Sequence, residues 1–241
     1  MVARSKPIPK KTLRLAQKLA DQQWASLGEY VEAFEQVVDA LRTGCINMTA
    51  GQMRGITASP GTNSFGIHHR ICTVIFNHRA LTASPIMDLW RATIAEGMHA
   101  IPDISDASKT TLLNVLDYCG KTFQTMSEIR NAMLHGTWNI GMNSIYSTIM
   151  PNYSQPLVKK IKVTKRGYSE NSDIPKDQKG IEAQTIECKK MHSLVMGVYW
   201  CFQDHRYIPV RFQKQGEEWK FMPLTFDMVL PHPSLEKQPS Q

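Results

Sequence analysis

The chain has 241 residues, of which 42% are hydrophobic and 20% are charged, a composition that is typical of a folded globular domain and excludes a disordered or fibrous protein. No stretch approaches the ~20 consecutive apolar residues that span a bilayer, and the N-terminus lacks the apolar region of a signal peptide, so we expect a cytoplasmic protein. The net charge of +7 favours a polyanionic partner such as nucleic acid.

The N-terminal quarter of the chain predicts a basic arm, a helix and a loop, in that order. Pro7 and Pro9 interrupt any helix within residues 1–15, which we expect to form a flexible arm. Over residues 23–41 apolar side chains recur three and four positions apart, which indicates an amphipathic helix. Its predicted buried face carries Trp24, Leu27, Tyr30, Val31, Phe34, Val37, Val38 and Leu41, and its solvent face carries Glu32, Glu35 and Asp39. Residues 50–66, with four glycines, are predicted to be a loop.

The following stretch predicts two helical segments separated by a polar break. Residues 69–97 have helical spacing, and Pro85 within them should kink or split the helix. A long helix is then expected at about 109–135, where six apolar residues form one buried stripe: Leu112, Leu116, Cys119, Phe123, Met126 and Met133. N-cap candidates precede it at Ser105, Asp106 and Ser108. The stripe is interrupted between Met126 and Met133, where the spacing predicts an apolar side chain but the residue is Arg130.

The pattern becomes β-like after the long helix. Residues 144–149 and 157–165 alternate or are β-branched, so we expect them to pair as a hairpin within a β-rich insertion at about 142–166. Three lysines of the second strand are candidate contacts to substrate phosphate: Lys159, Lys160 and Lys162. A solvated strand face gives the same alternating pattern, so this alternative stays open.

The C-terminal part predicts one more helix and a second hairpin. Helical spacing returns at about 182–203, and a small β-containing extension follows at 206–230, with a turn at Gln215–Gly216. Residues 231–241 are predicted to be a disordered tail.

The five cysteines are scattered and form no Cys-x-x-Cys pair, unlike the cysteines of a disulfide framework or a structural zinc site. We therefore expect buried thiols in a reducing compartment, with neither a metal nor another cofactor. Cys188 and His192 share a helical face, but no second ligand pair accompanies them, so we interpret them as core or surface residues.

The candidate chemistry lies at the end of the long predicted helix, where Arg130 and His135 are five residues apart and Gly136 should end the helix. Five residues turn a helix by about 140° and advance it by about 7.5 Å. One helix therefore does not aim both side chains at one atom, whereas two copies packed around a two-fold axis would bring them into one cleft. Asn131 shares a helical face with His135 and is placed to hydrogen-bond to it.

An arginine and a histidine are sufficient for metal-free cleavage of RNA. A neutral imidazole can take the proton from a ribose 2′-hydroxyl, which then attacks the adjacent phosphorus. The planar guanidinium can hold the phosphate and stabilise the charge that develops on it. This chemistry requires a 2′-hydroxyl and is therefore restricted to RNA.

Residues 130–135, Arg-Asn-Ala-Met-Leu-His, resemble the Arg-polar-x-x-x-His signature of HEPN domains, and the order of helices over roughly 20–205 is similar to that family. The resemblance implies a mainly α, HEPN-like bundle at 16–205 that forms a homodimeric, metal-independent endoribonuclease. It also implies that Arg130 and His135 are catalytic and that Asn131 supports them.

The resemblance extends to biological setting, because HEPN ribonucleases are common in toxin and antiviral defence systems. It therefore implies RNA as substrate and an antitoxin or regulatory protein as a further partner. Some HEPN toxins have a tyrosine two residues after the histidine, which a nucleotidyltransferase modifies; Thr137 stands there in this chain, so we do not expect that control.

Two alternatives remain open from the sequence. In the first, the domain is HEPN-like but catalytically silent, and binds RNA or a protein. In the second, the helical scaffold is unrelated to HEPN, Arg130 pairs with a nearby carboxylate such as Glu128 or Asp117, and His135 caps the helix end.

Overall fold

The computed structural model describes residues 8–57, 71–77, 82–99, 101, 104–150, 156–159, 161–164, 167–170, 174–175, 177–203 and 207–222. The helices are α1 (Lys10–Thr57), α2 (71–76), α3 (Ala83–His99), α4 (Asp106–Leu134), α5 (Ile140–Ile149), α6 (Gln178–Gln203) and α7 (Ile208–Arg211). The strands are β1 (Thr137–Trp138), β2 (Val158–Lys159), β3 (Ile161–Thr164), β4 (Gly167–Glu170), β5 (Phe212–Gln215) and β6 (Glu218–Phe221). This is the mainly α fold with small β-hairpins that the sequence predicted.

Helix α1 is the central element, since it packs against α3, α5 and α6. It is longer at both ends than predicted. The expected flexible arm was wrong beyond Pro9, because the Pro9 carbonyl accepts the first helical hydrogen bond, from the Leu13 amide at 3.2 Å, and Ala16 and Ala20 are buried. A proline at a helix start loses no hydrogen bond. The loop predicted at 50–66 was also wrong over 50–57, which is helical, and the rest of that stretch lies outside the described residues.

Helices α3 and α4 follow the sequence prediction closely. Pro85 lies in the first turn of α3, where no backbone donor is needed, and the predicted split falls between α2 and α3. The side chain of Ser105 caps α4 by accepting from the Ser108 amide at 3.1 Å. All six residues of the predicted stripe are buried, and the stacked rings of Phe123 and Phe34, 5.6 Å apart, join α4 to α1.

The hairpin predicted for residues 144–149 was wrong, because these residues belong to helix α5. Ile140 is buried at its start, and the buried Ser144 hydroxyl shares its one hydrogen between the Gln23 side-chain oxygen at 3.1 Å and the Ile140 carbonyl at 2.8 Å. Packing on α1 thus overrides the local β propensity of this segment. Among the described residues of the predicted β-rich insertion at 142–166, only the second half contains strands, β2 and β3, while β1 precedes the insertion and β4 follows it.

Each strand has one antiparallel partner: β1 pairs with β2, β3 with β4, and β5 with β6. The last pair is the predicted C-terminal hairpin, with its turn one residue later than expected, at Gly216–Glu217. Gly216 has a φ of +62°. The first position of a type II′ turn requires this left-handed backbone conformation, which favours glycine. Phe212 is buried, so the extension belongs to the helical core. The tail at 231–241 lies outside the described residues.

All five cysteines are buried thiols, as predicted. Burial raises the pKa of Cys45, Cys119 and Cys188 to about 12 in each case, so these thiols remain protonated at neutral pH. Within the ranges that the structure describes, no helix has the length and apolar character required to cross a membrane.

Two glycines of α1 provide a matched test of this packing. A Cβ at Gly44 would lie 2.9 Å from Nε1 of the fully buried Trp90, whereas a Cβ at Gly28 would meet nothing within 4 Å. We expect Gly28→Ala to raise the free energy of unfolding by up to about 1 kcal/mol through helix propensity. Gly44→Ala should be about 1–3 kcal/mol less stable than Gly28→Ala because of overpacking. Urea denaturation measures both variants, and equal stabilities would contradict the packing of α1 on α3.

Candidate active site

The three predicted catalytic residues lie at the C-terminal end of α4. His135 is the C-cap residue, with φ −99° and ψ 7°, and its amide donates to the Asn131 carbonyl at 3.1 Å. Gly136 follows as predicted, and its amide donates to the Met133 carbonyl at 3.2 Å. The His135 side chain is exposed, and so is that of Asn131, whereas Arg130 is partly buried. The helix end therefore presents an accessible imidazole beside a partly covered guanidinium.

The guanidinium of Arg130 is directed toward α1. Its Nη2 donates to Oε1 of Glu35 at 3.0 Å, and its Cζ lies 5.5 Å from the centre of the Phe34 ring. Its Nη1 donates to Oδ1 of Asn131 at 3.4 Å. The Arg130 and Glu35 side chains keep 29% and 45% of their surface exposed, so the ion pair lies at the boundary between core and solvent.

The guanidinium retains unused donors. Nε is buried and has no hydrogen-bond partner among the described residues. Each Nη carries two hydrogens, and the described contacts use one on each. Arg130 therefore can bind a further anion on its exposed edge without releasing Glu35, although Glu35 already neutralises much of its charge.

Tyr30 completes the surroundings of Arg130 on the buried side of α1. Its hydroxyl is buried without a hydrogen-bond partner among the described residues. Burial raises the pKa of Tyr30 well above its usual value, and the positive charge of Arg130 lowers it only in part. The phenol therefore stays neutral, and Glu35 is the carboxylate that balances Arg130.

Neither carboxylate proposed from the sequence is the partner of Arg130. Glu128 accepts from Gln124 at 3.2 Å, and Asp117 contacts Lys121 at 2.7 Å and Arg91 at 3.7 Å. The hydrogen bond from Lys121, the largest cause, lowers the pKa of Asp117. The expectation that Glu128 or Asp117 pairs with Arg130 was therefore wrong. The same alternative expected Arg130 to pair with a carboxylate, and Glu35 is that carboxylate.

The predicted hydrogen bond between Asn131 and His135 is not formed between the described side chains. The side-chain oxygen Oδ1 of Asn131 accepts from Nη1 of Arg130 instead. Asn131 also lines an open groove of about 370 Å³ between α3 and α4. The charged residues of this groove carry opposite signs in equal number: Arg91, Lys121, Asp88 and Glu128.

The fold brings one of the predicted lysine positions next to the motif. β1 directly follows the end of α4 and pairs with β2, so that Thr137 lies opposite Lys159 and Trp138 opposite Val158. Lys162 lies in β3 opposite Ser169. The side chains of Lys159 and Lys162, and all of Lys160, lie outside what the structure describes. The strand pairing thus places the backbone of Lys159 beside Thr137, the second residue after His135.

The weaker sequence candidates gain no support. Cys188 is fully buried, and its raised pKa disfavours the thiolate that metal binding requires. No group of three or more His, Cys, Asp or Glu side chains suited to a metal ion occurs in the described part of the chain.

Sequence reasoning missed two contributions of α1. Glu35 was assigned to the solvent face, and no local pattern reveals a partner 95 positions away. Trp24 was assigned to the buried face, yet it is 51% exposed. Its ring lies 6.2 Å from that of Trp138, just after the motif.

No protein-family model matches the chain, and neither a curated protein nor a solved structure is significantly similar to it. The interpretation of the site therefore depends on its residues and their geometry.

Removing the Arg130 side chain tests whether it serves the fold or a function. We expect Arg130→Ala to lower the free energy of unfolding by only about 1–2 kcal/mol, because a partly exposed ion pair and a cation–π contact are each worth ~1 kcal/mol or less. Urea denaturation measures the change. Arg42→Ala is the matched control, since Arg42 is 27% exposed, pairs with Asp39 and also has a buried Nε for which the described residues provide no partner.

A loss of about 3–5 kcal/mol in Arg130→Ala, the cost of breaking a buried ion pair, would contradict this expectation. It would instead identify Arg130 as a structural residue of the helical scaffold.

Proposed function

We propose that the chain is a metal-independent endoribonuclease in which Arg130 and His135 act on RNA and Asn131 orients Arg130. The observation that supports the proposal most is the shared helix end. An exposed imidazole and a guanidinium with unused donors lie within five residues there, and the backbone of β2, which includes Lys159, pairs with the strand that follows them. The net charge of +7 favours the approach of a polyanion.

In the proposed reaction, the neutral imidazole of His135 takes the proton of a ribose 2′-hydroxyl. The 2′-oxygen forms a bond to the adjacent phosphorus, and the bond from phosphorus to the 5′-oxygen breaks. The free Nη hydrogens of Arg130 donate to the non-bridging oxygens, where negative charge develops. The products are a 2′,3′-cyclic phosphate and a 5′-hydroxyl, whose proton is taken from solvent.

We infer that the complete site needs a second copy of the chain. Arg130 points toward Glu35 on α1, whereas His135, about 140° further around the axis, is exposed beyond the last turn of α4. A two-fold dimer with the ends of α4 side by side would place His135 of one copy near Arg130 of the other. This arrangement is also what the resemblance to HEPN ribonucleases implies.

The resemblance alone supports the proposed setting of a toxin or antiviral defence system in the cytoplasm, with an antitoxin or regulatory protein as partner. A second candidate function rests on a specific contact. Because Glu35 already neutralises Arg130, the site also suits a catalytically silent module that binds RNA or a protein through the same surface.

Cleavage of labelled RNA in EDTA separates these functions. We expect the wild-type protein to cut RNA, to leave DNA of the same sequence intact and to produce 2′,3′-cyclic phosphate ends. His135→Ala should abolish cleavage because it removes the proposed general base. His99→Ala is the matched control, since His99 is likewise an exposed histidine at a helix end.

Cleavage that persists in His135→Ala would remove His135 from any catalytic role. A folded wild-type protein that binds RNA without cutting it would favour the silent module.

A further inference from the structure

An exposed pair of tryptophans lies beside the proposed active site. Trp24 of α1 is 51% exposed, which is unusual for so large an apolar ring. Its centroid lies 6.2 Å from that of Trp138, and the two ring planes are inclined by 34°. Trp138 is the third residue after His135, in the strand that pairs with β2.

Both indoles are held on rigid supports. Two buried neighbours of Trp24, Gln23 and Ser26, hold this part of α1 against the core, and the Gln23 side chain accepts from Ser144 of α5 at 3.1 Å. The Nε1 of Trp138 donates to the Met133 carbonyl in the last turn of α4 at 3.0 Å. The aromatic surface is therefore preorganised before any ligand arrives.

Gly28 leaves the space beside Trp24 open. It lies one helical turn after Trp24, and a Cβ there would meet nothing within 4 Å. Side chains of a helix tilt toward its N-terminus, so a larger residue at this position would lie over the indole. A planar ligand can therefore approach Trp24 from this side.

The surroundings of Trp24 indicate what kind of ligand fits. Its exposed neighbours on α1 are polar or small: Asp21, Gln22, Ala25, Gly28 and Glu29. A single exposed ring among such residues does not make the ~1,200–2,000 Å² interface of a stable protein complex. The two carboxylates also disfavour a phosphate at this position. The face of an uncharged, unpaired base meets both conditions, because it stacks on an aromatic ring without needing a positive charge.

The position of Trp24 fits a strand that continues from the proposed cleavage site. Trp24 and Glu35 are eleven residues apart on α1, which places them on one face and about 16.5 Å apart along the axis. Glu35 contacts Arg130 at one end of this face, and Trp24 contacts Trp138, the third residue after His135, at the other end.

We propose that Trp24, supported by Trp138, is a stacking platform for an unpaired base of the RNA substrate, about 16.5 Å along α1 from the contact between Glu35 and the phosphate-binding Arg130. The inference rests on the proposed function, since it assigns single-stranded RNA as the substrate class of that same site. Trp24 is a binding residue in this scheme and takes no part in proton transfer.

Binding of a single-stranded, fully 2′-O-methylated RNA oligonucleotide tests the platform separately from catalysis, because such an RNA has no 2′-hydroxyl to attack. We expect Trp24→Ala to weaken binding by roughly 5- to 150-fold in fluorescence anisotropy, the fold-change that corresponds to ~1–3 kcal/mol of stacking per base. Trp24→Phe should retain most of the affinity. Gly28→Leu should weaken binding while leaving the protein folded, because its side chain covers the indole.

Trp200→Ala is the matched control, since Trp200 is 55% exposed on α6. It lies about 27 Å along that helix from Glu182, which accepts a hydrogen bond from Ser26 near Trp24. The control variant should bind the oligonucleotide with wild-type affinity. Circular dichroism and size-exclusion chromatography with light scattering verify that each variant keeps its fold and its oligomeric state.

Unchanged binding in Trp24→Ala, or no binding by the wild-type protein, would overturn the platform. A Trp24→Ala variant that changes oligomeric state would also overturn it and assign the surface to a second copy of the chain. RNA cleavage that depends on His135 alongside unchanged binding in Trp24→Ala would leave the ribonuclease intact and remove only the platform. Binding that depends on Trp24 without any cleavage would support the platform and remove the ribonuclease.

Discussion

The ion pair between Arg130 and Glu35 is the constraint around which the proposed site is organised. It joins the last turns of α4 to the middle of α1 at 3.0 Å, directly above the ring of Phe34. A positive charge on an otherwise apolar stripe is unfavourable unless it has a partner or a wet surface, and this position supplies both. The same contact fixes the direction of the guanidinium and reduces its effective charge, so it bears on affinity for phosphate as well as on stability.

Helix α1 provides more of the site than its place in the sequence suggests. Its buried face packs against α3, α5 and α6. Glu35 and Trp24 lie on one partly exposed face of the same helix, about three turns apart. The pairing of β1 with β2 then brings the backbone of Lys159 beside the strand that follows His135. A single rigid helix thus sets the spacing between the proposed phosphate contact and the proposed base contact, which favours binding in one register.

Features that depend on local periodicity could be predicted from the sequence. The stripe of α4, its Ser105 cap and the glycine turn of the last hairpin are examples, because each depends on residues within a few positions. Residues 144–149 were misassigned, since packing of Ile140 and Ser144 against α1 outweighs β propensity. The motif was found from the interrupted stripe, but Glu35 was not, because a partner 95 positions away is chosen by helix packing.

The central claim is that Arg130 binds RNA phosphate through its unused donors while it stays paired with Glu35, whose negative charge opposes that binding. The most direct measurement is the affinity of Glu35→Gln for a 2′-O-methylated RNA oligonucleotide, compared with that of Glu32→Gln. Glu32 is the control because it lies one turn earlier on α1, accepts only from Gln36 among the described residues, and gives the same change in net charge. Glutamine at position 35 keeps a neutral acceptor for Arg130 while removing the opposing charge, so the account predicts tighter binding in Glu35→Gln than in Glu32→Gln. Equal affinities in the two variants would contradict it.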